Sequence, residues 1–447
     1  MRRRSQAPPE ERGFLKFWSG EKSKMKKKEE DRFYSHHSHQ SPLVMPSSSP
    51  SKKWFCLAII FFLLLGIALT VAGLGYYFRH EQKRKELKET HQYMRSLINQ
   101  INNAPDVRWK AKFNPFATRT HDYNYKTLRN STAIKEYISI LNDFFDSDKM
   151  QNHLKQLEEF PDDKVPKTFD AREKWTNCPS LHYIPNQGGC GSCFAVSAVG
   201  VASDRACIQS NGTIKTWLSV EDVLGCCPVC GNCYGGDPLK ALAFWAKEGI
   251  VTGNRDGCRP YSIDISCGTP CSPETYPDAE YRRTCIRRCQ NTYYKNKYED
   301  DKYFGSLAYT MFPRRMTVDQ EGKERVDMPS IIGHFNDTSM TPLTLDEIRA
   351  IIKKEIYLFG PTTLAFPVTE EFLHYESGVF HPYPEENFTE RIVYWHVVRV
   401  IGWGQDEKGH YWTAVNSFGS HWGDNGLFHI DTTLLEKFGL EYETGLL

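Results

Sequence analysis

The strongest feature of the hydropathy pattern is an unbroken apolar stretch near the N-terminus. Residues 54–78 carry no charged side chain, and Lys52, Lys53 and Arg79 flank them. At about 1.5 Å per residue, a helix of this length spans about 37 Å, enough to cross a bilayer. A signal peptide has a shorter apolar region and does not follow a polar leader of this length, and a core helix would have a polar face. We therefore predict a transmembrane signal-anchor helix at 54–78.

The residues before this stretch are polar and biased in composition. Residues 1–53 contain a lysine-rich run at 22–28, followed by a segment rich in serine, histidine and proline. Such a segment buries too little apolar surface to offset the loss of chain entropy, so we expect a disordered tail. The basic run is either a solvated charge run or a contact to a membrane surface.

Further along the chain, the apolar pattern predicts one helix and two strands. Residues 196–208 combine apolar and small side chains, which indicates a buried helix starting at or near Cys193. Residues 396–404 and 411–415 are rich in β-branched and aromatic side chains, which is typical of buried strands. If these strands pair as a hairpin, Asn416 lies beside His396.

Charge and cysteine content indicate which partners and which compartment to expect. The net charge of +1, from 56 basic and 55 acidic residues, gives no bias toward nucleic acid, so we expect no nucleic-acid partner. Of the 14 cysteines, Cys56 lies in the apolar stretch and the other 13 fall between Cys178 and Cys289. This density predicts disulfides in an oxidising compartment. A zinc site at Cys227, Cys230 and Cys233 is an alternative, but it would leave most of the other cysteines unexplained.

The positions of the glycosylation sequons support the same compartment. All four sequons lie after the apolar stretch, at Asn130, Asn211, Asn336 and Asn387. We therefore expect a single-pass type II membrane protein, with a cytosolic tail and a luminal or extracellular C-terminal part.

An odd number of luminal cysteines leaves one thiol after six bridges form. Cys193 is a strong candidate, because it begins the predicted helix, where the helix dipole lowers a thiol pKa. Glycines just before it allow a tight turn and an accessible sulfur. His396 is then the candidate base, and Asn416 can orient its ring.

Several motifs around these residues resemble cathepsin B-like cysteine proteases of the papain family. The resemblance covers residues 165–447 and rests on 169–179 (FDAREKWTNCP), 187–195 (QGGCGSCFA), 203–208 (SDRACI), 258–262 (CRPYS) and 422–426 (WGDNG). It implies an α+β, papain-like two-lobe fold, with a helical lobe and a β-rich lobe that meet at a cleft. Residues 79–164, with their aromatic cluster Trp109, Phe113 and Phe116, resemble a propeptide, although a plain stalk is the alternative.

The resemblance also implies roles for individual residues. Cys193 would be the nucleophile, His396 the base and acid, Asn416 its orienting partner, and Gln187 part of the oxyanion hole. The substrate-binding residues would be Gly235, Gly236, Asp237, Pro238, Ala365, Trp395, Phe418 and Glu443. Six bridges are implied: Cys178–Cys207, Cys190–Cys233, Cys226–Cys285, Cys227–Cys230, Cys258–Cys289 and Cys267–Cys271. The implied partners are peptide or protein substrates and cystatin-like inhibitors, in the lysosomal or secretory pathway, with no cofactor or metal.

Other positions depart from the family pattern. Phe194 and Phe418 replace tryptophans, and Tyr394 and Trp395 replace two glycines before His396, which should crowd the S1 and S2 subsites. Residues 311–341 are extra and are expected to form a surface insertion. The loop closed by Cys267 and Cys271 lacks the histidine pair that binds a substrate C-terminus, so we expect mainly endopeptidase activity. An inactive homologue that acts as a binding protein is the alternative.

Two further expectations concern processing and specificity. The exposed, charged residues 158–164 precede the mature-like start, so cleavage there would release the enzyme from its prosegment. Glu443 matches an acidic S2 residue that accepts arginine at P2, so P2 arginine should be tolerated unless Trp395 fills the pocket.

Overall fold

The computed structural model describes residues 52–117, 131–268, 270–271, 284–318, 323–434 and 442–446. The chain divides into two compact units, residues 1–77 and 78–447, and each is described by itself. Most of the predicted tail lies outside the described residues, as do Asn130 and the segment 272–283. In the first unit, the described residues are helical and exposed, with a mean hydropathy of 2.9 over their most apolar window. This helix begins at Lys52, two residues before the predicted span.

The helices of the described residues are α1 (Lys52–Asn103), α2 (Ser131–Phe145), α3 (Asp148–Glu159), α4 (Ala171–Lys174), α5 (Cys193–Gln209), α6 (Val220–Cys226), α7 (Pro238–Glu248), α8 (Ile331–Thr338) and α9 (Leu345–Phe359). The strands are β1 (Trp109–Ala111), β2 (Phe169–Asp170), β3 (Gly231–Asn232), β4 (Gly235–Gly236), β5 (Leu307–Thr310), β6 (Arg314–Thr317), β7 (Arg325–Met328), β8 (Thr362–Thr369), β9 (Tyr375–Phe380), β10 (Ile392–Asp406), β11 (Gly409–Val415), β12 (Leu427–Asp431) and β13 (Glu443–Leu446).

The second unit has two large hydrophobic cores, which correspond to a β-rich lobe and a helical lobe. The β-rich lobe is built on a seven-stranded sheet in the order β1-β9-β12-β11-β10-β2, with β8 also paired to β10. The predicted hairpin is present, because β10 and β11 pair antiparallel with Arg399 opposite Val415. The strand that carries His396 begins earlier than predicted, at Ile392, so His396 lies in its interior.

The helical lobe is organised around α5, which is buried along almost its whole length and packs against α7, β10 and β13. Small side chains on α5 permit this close packing. At Gly200, an added Cβ would lie 3.1 Å from both the Arg399 and the Trp217 side chains. Two buried ion pairs, Arg399 with Asp204 and Arg205 with Glu355, connect α5 to the rest of the unit. Burial of a charge is tolerated here because each is paired.

Described parts of residues 78–164 pack on the rest of the unit, in keeping with the expected propeptide. Strand β1 extends the large sheet by pairing with β9, and Trp109 is 1% exposed. Helix α2 packs against α7 and β5, and α3 packs against α9. Phe113 also packs on the core, whereas Phe116 remains about half exposed.

The expectation of a surface insertion at 311–341 is wrong in one respect. The insertion forms the hairpin β6–β7 and helix α8, and some of its apolar side chains are buried. Met316 and Met328 join the core of the helical lobe, while Ile331 and Ile332 join that of the β-rich lobe. Because the insertion is polar on average, the burial of these few side chains could not be predicted from its composition.

Candidate active site

The candidate nucleophile lies where the sequence predicted. Cys193 is the first residue of α5, and Ser192 is the N-cap. The turn before it requires glycine at Gly188, where φ is +59° and a Cβ would lie 2.3 Å from the Asp264 carbonyl oxygen. All 14 cysteines lie in the described residues, and among them only Cys56 and Cys193 are free.

His396 and Asn416 lie close together across the β10–β11 hairpin. His396 Nε2 lies 2.8 Å from Asn416 Oδ1, and both side chains are fully buried. Asn416 Oδ1 also accepts a hydrogen bond from the Ser417 backbone N–H at 2.7 Å, which fixes the orientation of the amide. Because an amide oxygen only accepts, Nε2 carries the proton and Nδ1 presents a lone pair. Nδ1 has no hydrogen-bond partner among the described residues, which leaves it available to take a thiol proton.

The phenylalanine that replaces a tryptophan after Asn416 still shields this hydrogen bond. The Phe418 ring is 1% exposed and stacks on His396, with 4.8 Å between ring centroids. Trp422 packs edge-on against the other side of Phe418. The apolar cover removes water from the His396–Asn416 bond and strengthens it.

Burial sets the protonation state of the pair. It raises the pKa of the Cys193 thiol to about 11, and it lowers the pKa of His396 to about 4 against the opposing effect of the Asn416 hydrogen bond. Both groups are therefore neutral at pH 7. The expectation of a lowered thiol pKa is not met in this structure, because the cost of desolvating a thiolate exceeds the helix-dipole effect.

The candidate oxyanion residue, Gln187, is 6% exposed and held at both ends of its amide. Ser417 Oγ donates to Gln187 Oε1 at 2.6 Å, and Gln187 Nε2 donates to the Cys190 carbonyl at 3.0 Å. A side-chain amide has two N–H donors, so one can serve the Cys190 carbonyl and the other a substrate oxygen. Tyr261 holds the same loop, through hydrogen bonds of its hydroxyl to the Gln187 carbonyl and to Ser192 Oγ.

The candidate substrate-binding residues lie on both lobes. Gly235, Gly236, Asp237 and Pro238 lead into α7, and Asp237 caps this helix by accepting from Leu239 N. Gly236 packs on the residue after the nucleophile, because a Cβ there would meet the Phe194 ring at 2.5 Å. Ala365 and Glu443 lie on β8 and β13, and both are buried.

All six expected disulfides are present: Cys178–Cys207, Cys190–Cys233, Cys226–Cys285, Cys227–Cys230, Cys258–Cys289 and Cys267–Cys271. The alternative zinc site is therefore wrong, since Cys227, Cys230 and Cys233 all form bridges. These bonds leave Cys193 as the free thiol of the second unit, as predicted from the odd number of cysteines after the apolar stretch.

Comparison with known proteins shows the family to which the chain belongs. Residues 165–444 match the sequence model of the papain family of cysteine proteases. The chain belongs to the papain family. It is 32% identical over 370 residues to cathepsin B-like cysteine proteinase 3 of Caenorhabditis elegans, covering 81% of this chain and 84% of that protein. It is 30% identical over 383 residues to the cathepsin B-like cysteine proteinase of Schistosoma japonicum, covering 82% and 94%.

Solved structures support the fold, including the prosegment. Procathepsin B S9 from Trypanosoma congolense superposes with a TM-score of 0.50 at 22% identity, covering 78% of this chain and 97% of that chain. The chain is therefore a cathepsin B-like papain-family cysteine protease with the fold of a procathepsin.

The two bulky residues before His396 occupy different surroundings. Trp395 is 55% exposed, whereas Tyr394 is half-buried with its ring 6.1 Å from that of His396. Trp395 therefore presents a large apolar surface on β10, directly before His396 in the same strand.

Three residues that sequence reasoning missed contribute to the site. Ser417 and Tyr261 hold Gln187, and Arg314 of the insertion contacts Asp237 and Glu443. Tyr261 lies within the motif at 258–262 and Ser417 directly follows Asn416, which was the available signal. No sequence signal marked Arg314, because its partners are distant in sequence.

Proposed function

We propose that this chain is a cysteine peptidase that hydrolyses peptide bonds through Cys193 and His396. The observation that carries the proposal is the His396–Asn416 hydrogen bond, which leaves Nδ1 as the basic nitrogen. In this mechanism Nδ1 takes the Cys193 proton, and the sulfur attacks the substrate carbonyl. The histidine then protonates the leaving amine, and water hydrolyses the thioester. Gln187 and the Cys193 backbone N–H would stabilise the oxyanion.

The test is turnover of blocked fluorogenic peptides by the processed chain. Hydrolysis that an epoxide thiol inhibitor abolishes supports the proposal. Peptide binding without hydrolysis and without inhibitor labelling would instead favour the binding-protein alternative.

We propose further that the enzyme acts mainly as an endopeptidase. The loop between Cys267 and Cys271 contains no histidine, and the sequence has none from residue 183 to residue 333. Arg287 and Arg288 are exposed, which favours solvated side chains over a pocket for a carboxylate. Arg282 and Arg283 lie outside the described residues.

This mode is tested by comparing one peptide as its free acid and as its C-terminal amide, with the products identified by mass spectrometry. Internal cleavage of both at similar rates is expected. Much faster removal of dipeptides from the free acid would contradict the endopeptidase mode.

We also propose a type II orientation, with α1 supplying the anchor and the protease on the luminal side. The six disulfides favour an oxidising compartment, and the exposed sequon residues Asn211 and Asn387 are accessible for glycosylation. Cleavage near residues 158–164 would then release a soluble enzyme into a lysosomal or secretory compartment. Glycosidase treatment of the membrane-bound chain should shift its mass, whereas an unshifted chain with a cytosolic C-terminus would contradict the orientation.

A further inference from the structure

The insertion hairpin places an arginine on the two acidic residues of the candidate S2 subsite. Arg314 begins β6, and its two terminal nitrogens lie 3.1 and 3.0 Å from the two carboxylate oxygens of Asp237. Arg314 Nη1 also donates to Glu443 Oε1. A single guanidinium thus bridges α7 and β13, in the forked geometry that favours arginine over lysine.

This acidic corner is next to the catalytic residues. Asp237 follows Gly236, which packs on the ring of Phe194 directly after the nucleophile. Val397, the neighbour of His396, lies in the same hydrophobic core as Ala365 and the hairpin residue Met316. By the resemblance that assigns Asp237, Ala365 and Glu443 to the S2 subsite, a P2 side chain would meet the carboxylates that Arg314 already contacts.

The charges in this corner cancel. Asp237 and Glu443 contribute two negative charges, and Arg314 and Lys240, the latter 3.7 Å from Asp237, contribute two positive charges. The Glu443 side chain is fully buried, and a buried carboxylate without a cation is costly. An incoming cationic side chain would have to displace Arg314, and it would gain little net attraction from a neutral cluster.

The two carboxylates that Arg314 contacts lie outside the prosegment. Asp237 and Glu443 both belong to the papain-family domain, and Met316 and Met328 anchor the hairpin in the helical lobe. The one ion pair between α2 and the hairpin in the described residues, Lys135 with Glu324, is more than half exposed on both sides. Such a surface pair contributes little. Helix α2 also packs against β7, and its Ile134, Ile138 and Leu141 share the hairpin's core, so we expect the anchoring methionines and the ion pairs of Arg314 to hold the hairpin after processing.

We propose that Arg314, by pairing with the S2 carboxylates of Asp237 and Glu443, makes the enzyme select against basic residues at P2. This inference rests on the proposed peptidase function. It replaces the expectation that P2 arginine is tolerated, which considered Glu443 without its partner.

The experiment compares kcat/KM for two blocked coumarylamide substrates, Phe-Arg and Arg-Arg, after processing of the full-length chain. Active enzyme is counted by titration with an epoxide inhibitor. Wild type should strongly prefer the Phe-Arg substrate. Arg314→Ala should raise the Arg-Arg to Phe-Arg ratio by at least about tenfold, since charge-assisted hydrogen bonds become available to the substrate. Adding Glu443→Ala to Arg314→Ala should remove most of this gain.

Two further variants keep the test decisive. Arg314→Met retains the aliphatic stem and should behave like Arg314→Ala if the alanine variant does not fold. Arg315→Ala is the matched control, because Arg315 contacts Asp327 on the exposed face of the same hairpin and should leave the ratio unchanged.

Comparable cleavage of both substrates by wild type, or an unchanged ratio in both Arg314 variants, would overturn the proposal. If processing released the hairpin, wild type would cleave both substrates at comparable rates. If neither substrate is cleaved and no epoxide label is found, the peptidase function itself fails, and this inference fails with it.

Discussion

The proposed catalytic centre and the proposed acidic S2 corner are both buried, but their charges are controlled in different ways. At the catalytic centre, Cys193 and His396 are neutral because burial disfavours their charged forms. At the acidic corner, Asp237 and Glu443 are paired with Arg314. Burial alone would raise the pKa of Asp237, but the charges of Arg314 and Lys240 and several hydrogen bonds lower it below its usual value.

This difference indicates which region processing should change. A neutral pair held by burial becomes reactive when water reaches it, because solvent restores the stability of the thiolate and imidazolium. The ion pairs of Arg314 with Asp237 and Glu443 lie within the papain-family domain, so processing removes none of these residues. We therefore expect processing to activate the catalytic centre and to leave the P2 preference intact.

Replacement of the nucleophile should have the largest effect. Cys193→Ala should lower kcat by about 10⁴-fold or more, because no thiol remains to form the acyl-enzyme. The measurement is fluorogenic peptide turnover by purified chain, with circular dichroism to verify folding. Cys56→Ala removes the other free thiol and should retain full activity. Retained peptidase activity in Cys193→Ala would invalidate the assignment.

The pH dependence of thiol alkylation measures closure of the catalytic centre. With the pKa of Cys193 raised to about 11, only about one thiol in 10⁴ is ionised at pH 7. In unprocessed Cys56→Ala chain, the iodoacetamide rate should therefore rise about tenfold per unit, or about 10³-fold from pH 7 to pH 10. A rate that is flat over this range would show that the thiolate is already formed before processing.

The orienting residue should matter less than the nucleophile. Loss of a buried hydrogen bond costs about 1–3 kcal/mol, so Asn416→Ala should lower kcat by about 10- to 100-fold. Its hydrogen bond to Nε2 favours protonated His396. The limb of the pH–rate profile that reports loss of the imidazolium proton should therefore move to lower pH. Asn416→Gln, which retains the amide, should partly restore both, and an unshifted profile would argue against an orienting role.

The smallest effect concerns release of the prosegment. His374 is 2% exposed, its Nδ1 accepts from Asn114 N at 3.0 Å, and Phe113 stacks on its ring. Burial and the nearby His91 lower the pKa of His374 to about 4. Docking is therefore favoured above about pH 6.5 and weakens as the pH falls toward 4.

The measurement uses the Cys193→Ala chain as the substrate of trace active enzyme. At pH 4.5, His374→Gln should be processed several-fold more slowly than His182→Gln, an exposed control, because glutamine accepts the same hydrogen bond but does not titrate. At pH 7 the two should match. Equal rates at both pH values would exclude His374 as the pH-sensitive contact.

Much of the fold and the catalytic centre could be predicted because the information is local. Cys193, His396 and Asn416 each lie in a distinct short motif, and the β10–β11 hairpin needs only a short connection to bring Asn416 beside His396. The odd cysteine count pointed to one free thiol without knowledge of any pairing. Predictions from such local patterns do not depend on the tertiary contacts around them.

The remaining features depend on contacts between distant parts of the chain. Arg314 lies 77 residues from Asp237 and 129 from Glu443, and no local pattern marks it as their partner. The raised pKa of Cys193 follows from how completely the folded site excludes water, which a motif does not encode. The insertion was expected at the surface because its average composition is polar, although six buried apolar side chains in its described residues anchor it: Met311, Met316, Val318, Met328, Ile331 and Ile332.

The most direct test of the account is covalent labelling by an epoxide thiol inhibitor, with the modified residue identified by mass spectrometry. We predict one equivalent of label on Cys193 after processing, none on Cys56, and markedly slower labelling of the unprocessed chain. A processed, folded chain that remains unlabelled, or that is labelled elsewhere, would contradict the assignment of Cys193 as the nucleophile of a papain-family peptidase.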